Sequence, residues 1–119
     1  MKNFISLKKI FTVFSLSILI LFSSVVYAAP SQIIFFCSSW NMKCREAKQT
    51  YSSLAKELGM NFVELDIDEA YSQQKANDLG LDFPSTIPYI YILGNKNNVL
   101  KAKVYNGESV QDLKKELLK

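Results

Sequence analysis

An α/β fold with a four-stranded mixed sheet is predicted by two patterns in the chain. Short, continuous apolar runs at 32–36 (QIIFF) and 89–93 (YIYIL) are typical of strands that are buried on both faces. Between them, residues 42–58 repeat their apolar side chains with the period of a helix. With the elements described next, the predicted order is β-α-β-α-β-β-α, with helices flanking both faces of the sheet.

The first half of this order follows from periodicity. The helix at 42–58 ends at Gly59, and its apolar stripe comprises Ala47, Tyr51, Leu54, Ala55 and Leu58. Alternation in NFVELDID (61–68) predicts a second strand, whose inward face carries Val63, Leu65 and Ile67. We interpret Glu64, Asp66 and Asp68 as the polar positions of this alternating strand, which lead to a helix cap, and not as a metal site. A weaker helix is predicted at 69–79.

The second half ends in a hairpin and a helix. Turn residues at 94–98 join the third strand to VLKAKVY (99–105), an edge strand on which Lys101 and Lys103 share one face. Ser109 is expected to cap the last helix, whose buried stripe is Val110, Leu113 and Leu117. The first two β-α steps predict parallel strands with right-handed crossovers, and the last two strands predict an antiparallel pair.

The first 28 residues are predicted to lie outside this domain. Lys2, Lys8 and Lys9 precede an apolar run at 10–26, and Ala28 is the last of the small residues that form a secretory cleavage site. We expect a signal peptide at 1–28 and an exported domain at 29–119, either periplasmic or secreted. The alternative is an uncleaved segment that anchors the protein to a membrane.

Composition excludes several classes of function. The three lysines of the first segment account for the whole net charge of +3, and residues 29–119 carry 11 basic and 11 acidic side chains. Nothing therefore suggests a nucleic acid as partner. The chain has no histidine, and two cysteines alone do not make a zinc site. We expect no metal, no cofactor and a monomer.

Two motifs, together with the order of elements, resemble the thioredoxin-like family over nearly all of residues 31–119. The signature of that family is W-C-x-x-C where the first strand meets its helix. Here the same frame is WNMKC: Trp40 matches the tryptophan, Asn41 replaces the first cysteine, and Cys44 matches the second. The second motif is STIPYIYI, which places Ile87 and Pro88 where the family has a cis-proline before a strand.

The resemblance implies roles for these residues. The Ile87–Pro88 bond is expected to be cis, and the backbone of Ile87 to pair with an extended substrate. Trp40 either contacts a bound peptide or packs over the start of the helix. Two departures disfavour the usual dithiol mechanism. Phe35 stands where thioredoxins often bury an aspartate, and the connection before the proline, LGLDFPST, is longer.

The cysteines leave alternatives open. An amide cannot attack a disulfide, and Asn41 is a good N-cap for the backbone N–H of Lys43 or Cys44. Cys44 lies in the first helical turn, which favours a thiolate, but also on the core-facing stripe, where cysteine is often inert. A Cys37–Cys44 bridge needs Cα atoms within about 7 Å. That is feasible if the strand ends one residue early; in its aligned place, the Cys37 side chain would point away.

Two functions from different classes are therefore predicted. The first is thiol–disulfide chemistry on protein thiols or disulfides, impaired or monothiol through Cys44, with Cys37 as possible partner. The second is a redox-inactive binding or chaperone module that uses Trp40, Asn41, Ile87 and Pro88 to hold an extended peptide of a partner protein.

Overall fold

The computed structural model describes residues 29–118, so the predicted signal peptide lies outside the described residues. No helix of the described part is long and apolar enough to cross a membrane. The predicted order of elements is confirmed. The strands are β1 (Pro30–Cys37), β2 (Asn61–Asp66), β3 (Tyr89–Gly94) and β4 (Val99–Val104), and the helices are α1 (Met42–Leu58), α2 (Ala70–Asp78) and α3 (Val110–Leu117).

The strands form one four-stranded sheet in the order β2-β1-β3-β4. As predicted, β1 and β2 are parallel, and β3 and β4 form an antiparallel pair. The prediction that the second β-α step also gives parallel strands is wrong, because β3 runs antiparallel to β1, with Tyr89 opposite Phe36. The connection 79–88 returns the chain to the carboxyl end of β1 before β3 begins. The residues that precede β3 therefore lie beside the end of β1.

Strand β1 is buried on both faces, as its continuous apolar sequence predicts. Ile33, Phe35 and Cys37 face one hydrophobic cluster, which α1 and α3 cover. Ile34 and Phe36 face a second cluster on the other side, to which β2, β3 and α2 contribute. Alternate residues of a strand point to opposite faces, so one strand supplies the centre of both clusters.

Helix α1 places its predicted stripe against the first cluster. Ala47, Tyr51, Leu54 and Ala55 are buried there, together with Cys44 one turn earlier. At the carboxyl end, Gly59 adopts the left-handed conformation, with φ at +66°, and its N–H bonds to the carbonyl of Ala55. Residues with a Cβ rarely adopt this conformation. The boundary predicted at Gly59 is confirmed.

Ion pairs connect β4 to helix α3 and to Glu108 just before it. Lys101 and Lys103 share one face of β4, as predicted, and that face is turned toward α3. The Nζ of Lys101 lies 2.6 Å from Oε1 of Glu116, and the Nζ of Lys103 lies 3.3 Å from Oε1 of Glu108. Ser109 caps α3 through its hydroxyl oxygen, as predicted, accepting from the backbone N–H of Asp112.

A hydrogen bond between Tyr51 and Glu108 links α1 to the residues before α3. The hydroxyl of Tyr51 donates to Oε1 of Glu108, and the backbone N–H of Asn106 donates to Oε2. Burial, and then the bond to Glu108, raise the pKa of Tyr51 above its usual range. Burial alone would raise the pKa of Glu108, but the hydrogen bonds from Tyr51 and Asn106 hold it below the ordinary value of 4.5.

Replacing this hydroxyl should destabilise the fold. Tyr51→Phe keeps the ring but takes a donor from a partly buried carboxylate, so the free energy of unfolding should fall by about 1–2 kcal/mol at neutral pH. Tyr71 is 65% exposed, so Tyr71→Phe is the matched control and should change stability by less than about 0.5 kcal/mol. Urea unfolding of the three proteins measures both effects, and equal losses in the two variants would contradict the assignment.

The same comparison has an expected pH dependence. Because the folded-state pKa of Glu108 is lowered, its carboxylate stabilises the fold above 4.5, and this contribution is lost as the pH falls through the folded-state pKa. The difference in the free energy of unfolding between wild type and Tyr51→Phe should therefore become smaller as the pH is lowered.

Candidate functional site

The turn 38–41 joins β1 to α1, and Asn41 ends it as the N-cap of the helix. Its side-chain Oδ1 accepts the backbone N–H groups of both Lys43, at 2.9 Å, and Cys44, at 3.2 Å. The predicted capping role is therefore confirmed, with both candidate donors in use. These N–H groups are the ones that a thiolate at position 41 would use.

Cys37 and Cys44 are joined by a disulfide, with their Cα atoms 5.7 Å apart. Of the alternatives left open by the sequence, the structure has the bridge, and it forms without the early strand end, because β1 runs through Cys37 and still presents it to α1. The physical reason is the alternation of β1, which places Cys37 on the same face as Ile33 and Phe35. The first turn of α1 begins on that face and carries Cys44.

The bridge is sheltered but borders an open groove. Cys37 and Cys44 are only 4% and 5% exposed. The backbone N–H of Ser38 donates to the Sγ of Cys44 at 3.3 Å. The groove has a volume of about 220 Å³ and is lined by Cys37, Ser38, Ser39, Asn41, Cys44, Arg45, Lys48, Glu64 and Asp66. Among these, Lys48 and Glu64 form an exposed ion pair of 2.9 Å.

Asp68 holds the turn from the side of β2. Its Oδ2 accepts from the indole Nε1 of Trp40 at 3.0 Å and from the hydroxyl of Ser38 at 3.1 Å. Trp40 is 66% exposed, so its ring stands at the rim and does not pack into the core. The interpretation of the acidic residues of 61–68 as leading to a helix cap did not predict the contacts of Asp68. Helix α2 is instead capped at Glu69, without a side-chain bond. The signal was positional: parallel strands end at the same edge, so residues after β2 lie near residues after β1.

The Ile87–Pro88 peptide bond is cis, as the resemblance implies. Since Tyr89 pairs with Phe36, Pro88 enters the sheet next to the carboxyl end of β1. Ile87 is partly buried against the cluster that contains both cysteines. The structure therefore brings Ile87 and Pro88 to the same end of the sheet as the bridge. Their role toward a peptide stays a prediction.

Beneath the bridge the site is apolar. Phe35 is fully buried, and its ring lies 5.6 Å from that of Phe62 and 6.4 Å from that of Tyr51, between centroids. The place where thioredoxins often bury an aspartate is thus filled by an aromatic side chain. Within residues 29–118, no group of three or more histidine, cysteine, aspartate or glutamate side chains is arranged to hold a metal ion.

Comparison with known proteins identifies the fold. Neither a protein-family model nor a curated protein matches the chain. Thioredoxin 1 from Thermosipho africanus TCF52B is similar in structure, with a TM-score of 0.55 and 17% identity, over 73% of this chain and 94% of that one. A thioredoxin-like protein from Clostridium perfringens has a TM-score of 0.57 and 16% identity, over 78% of this chain and 72% of that one.

A third structure agrees with these two. A mutant thioredoxin from Halobacterium salinarum NRC-1 has a TM-score of 0.57 and 17% identity, over 75% of this chain and 73% of that one. At such identities the likeness concerns the fold. With its four-stranded mixed sheet, its three flanking helices and the cis-proline beside the end of β1, the described part of the chain has the thioredoxin fold.

Proposed function

We propose that this protein is an exported thiol–disulfide protein that exchanges disulfides with protein thiols through the Cys37–Cys44 pair. The observation that carries the proposal is the position of the bridge. It joins Cys37 at the end of β1 to Cys44 in the first turn of α1, which is the second cysteine position of the thioredoxin signature, and both cysteines line an open groove. The pair thereby replaces the Cys-x-x-Cys pair whose first member is Asn41 here.

We expect this exchange to be slow, for three reasons. Asn41 occupies the position of the exposed attacking thiol. The two sulfurs that remain belong to residues that are 4% and 5% exposed, which restricts in-line approach to the bond. Phe35 provides no carboxylate beneath the site to assist proton transfer. If Cys37 is removed, Cys44 alone can capture a partner as a mixed disulfide but cannot complete a cycle without a second thiol.

A binding role without redox chemistry is the second candidate. The exposure of Trp40 at the rim favours it, because a large apolar ring held at the surface by Asp68 is suited to contact a partner. Ile87 and Pro88 lie at the same end of the sheet, where an extended peptide could pair with the backbone. In this case the bridge is purely structural, and the two candidates differ in whether native protein exchanges it.

The first prediction is slow but measurable exchange by residues 29–119. Oxidised protein incubated with glutathione under native conditions should pass through a mixed disulfide and yield two free thiols, detected by alkylation and mass spectrometry. Reduction of insulin should be much slower than by an intact Cys-x-x-Cys thioredoxin.

The matched control is Cys37→Ser/Cys44→Ser, which should form no adduct. Because loss of a disulfide typically costs about 2–4 kcal/mol, folding of the control is checked by circular dichroism. A bridge that resists glutathione until the protein unfolds would support the binding role instead.

The second prediction is that a thiol at position 41 creates a conventional pair. In Asn41→Cys/Cys37→Ser, the new thiol lies at the helix N-terminus, where the dipole and nearby Lys43 and Arg45 favour the thiolate. Insulin reduction should exceed that of wild type, at a cost of about 0.5–2 kcal/mol in stability from the lost cap. Asn41→Cys/Cys37→Ser/Cys44→Ser is the control and should not turn over. A folded but inert double variant would show that WNMKC does not occupy the active-site frame.

The third prediction concerns export. Expression of the full chain should yield a mature protein that begins at Ala29, because a basic segment and an apolar run precede the small residues at 26 and 28. Amino-terminal sequencing or intact-mass analysis of the secreted or periplasmic fraction measures this directly. Retention of Met1 in the membrane fraction would favour the anchor instead.

A further inference from the structure

Ser38 connects Asp68 to the bridge through two different atoms. Its hydroxyl donates to Oδ2 of Asp68 at 3.1 Å, and its backbone N–H donates to the Sγ of Cys44 at 3.3 Å. Ser38 is itself 4% exposed. The orientation of the backbone N–H is therefore fixed from one side by the sheet, through Cys37, and from the other by Asp68.

We propose that Asp68 is a positioning residue for disulfide exchange and that it acts through Ser38 on the sulfur of Cys44. This inference rests on the proposed function, because it assigns roles within the same pair of cysteines. A hydrogen bond to sulfur strengthens as the sulfur gains negative charge. The Ser38 N–H and the first turn of α1 both favour a thiolate at Cys44. Cys44 is thereby the better leaving group when the bridge is attacked.

The step follows from this asymmetry. A partner thiolate attacks the Sγ of Cys37, and a new disulfide forms between the partner and Cys37. The bond between Cys37 and Cys44 breaks, and its electron pair stays on Cys44 as a thiolate that accepts from Ser38. A second partner thiolate then attacks the partner sulfur of the mixed disulfide and releases Cys37. Two partner thiols are oxidised to one disulfide, and the bridge is reduced to two thiols.

The first test maps the mixed disulfide in unaltered protein. Oxidised residues 29–119 are mixed with glutathione, quenched at early times with acid and an alkylating reagent that reacts at low pH, and digested for mass spectrometry. The expected intermediate carries glutathione on Cys37 and the alkyl group on Cys44. Glutathione on Cys44, with Cys37 alkylated, would overturn the assignment.

The second test separates positioning from general stability. Asp68→Ala and Ser38→Ala should each slow reduction by glutathione about fivefold, the size of one hydrogen bond. The double variant should be no slower than either alone, because both act along one line of contacts. Asp68→Asn keeps an oxygen acceptor and should restore most of the rate.

Asp82→Ala is the matched control: this exposed aspartate accepts from Tyr91 through its backbone carbonyl, and its replacement should leave the rate unchanged. If the double variant is slowed by the product of the two single effects, the substitutions act independently and the link through Ser38 is refuted.

A pH profile provides the readout that a purely structural role would not move. In Cys37→Ser, the rate of alkylation of Cys44 against pH reports its thiolate. Adding Ser38→Ala, which cuts the link to Asp68 without removing a charge, should shift the midpoint to higher pH. The charged residues that line the groove beside Cys44 are the same in both variants, namely Arg45, Lys48, Glu64 and Asp66. An unshifted midpoint would contradict positioning. Failure of the inference is distinguishable from failure of the proposed function. Exchange through a Cys44 adduct refutes only the inference, whereas a bridge that glutathione does not open in native protein refutes both.

Discussion

The alternation of side chains along β1 is the constraint on which the rest of the structure depends. Its period of two sends Ile33 and Phe35 to one side of the sheet and Ile34 and Phe36 to the other, so a single strand fills the centre of both hydrophobic clusters. The same period determines the face of the sheet to which the Cys37 side chain points. A slip of one residue would turn Cys37 away from α1 and also exchange the two sets of core residues. The disulfide and the core therefore depend on one register.

The directions of the neighbouring strands then assemble the site around that bridge. Because β2 is parallel to β1, the residues after both strands meet at one edge, and Asp68 reaches Ser38 and Trp40. Because β3 is antiparallel to β1, the residues before β3 arrive at the same edge, and these include Pro88. Residues far apart in the chain thus converge on the turn 38–41 as a consequence of sheet topology.

Sequence reasoning succeeded where the cause is local. The limits of α1, its cap at Asn41 and its apolar stripe follow from a helical period and from side chains that act within three residues of one another. The direction of β3 could not be predicted in this way, because it depends on where the connection 79–88 returns the chain. For a related reason the Cys37–Cys44 bridge stayed an open alternative and the contacts of Asp68 were not predicted. Each joins two elements whose relative placement is set by tertiary packing, although the shared edge of parallel strands does indicate that Asp68 lies near the site.

Asn41 shows how one helix start can serve stability or chemistry. The N–H groups of Lys43 and Cys44 donate to the Asn41 amide here, whereas a thiolate at position 41 would accept from the same two groups. Asn41 and Asp68 together hold the turn 38–41 independently of the disulfide. In the proposed reaction the Cys44 thiolate therefore stays close to the Sγ of Cys37 in the mixed disulfide, because the entropy of closing the loop has already been lost in folding. Attack of this thiolate on Cys37 expels the partner thiolate and re-forms the bridge, so it competes well with attack by a second partner thiol. This back-reaction favours the oxidised protein and agrees with slow exchange.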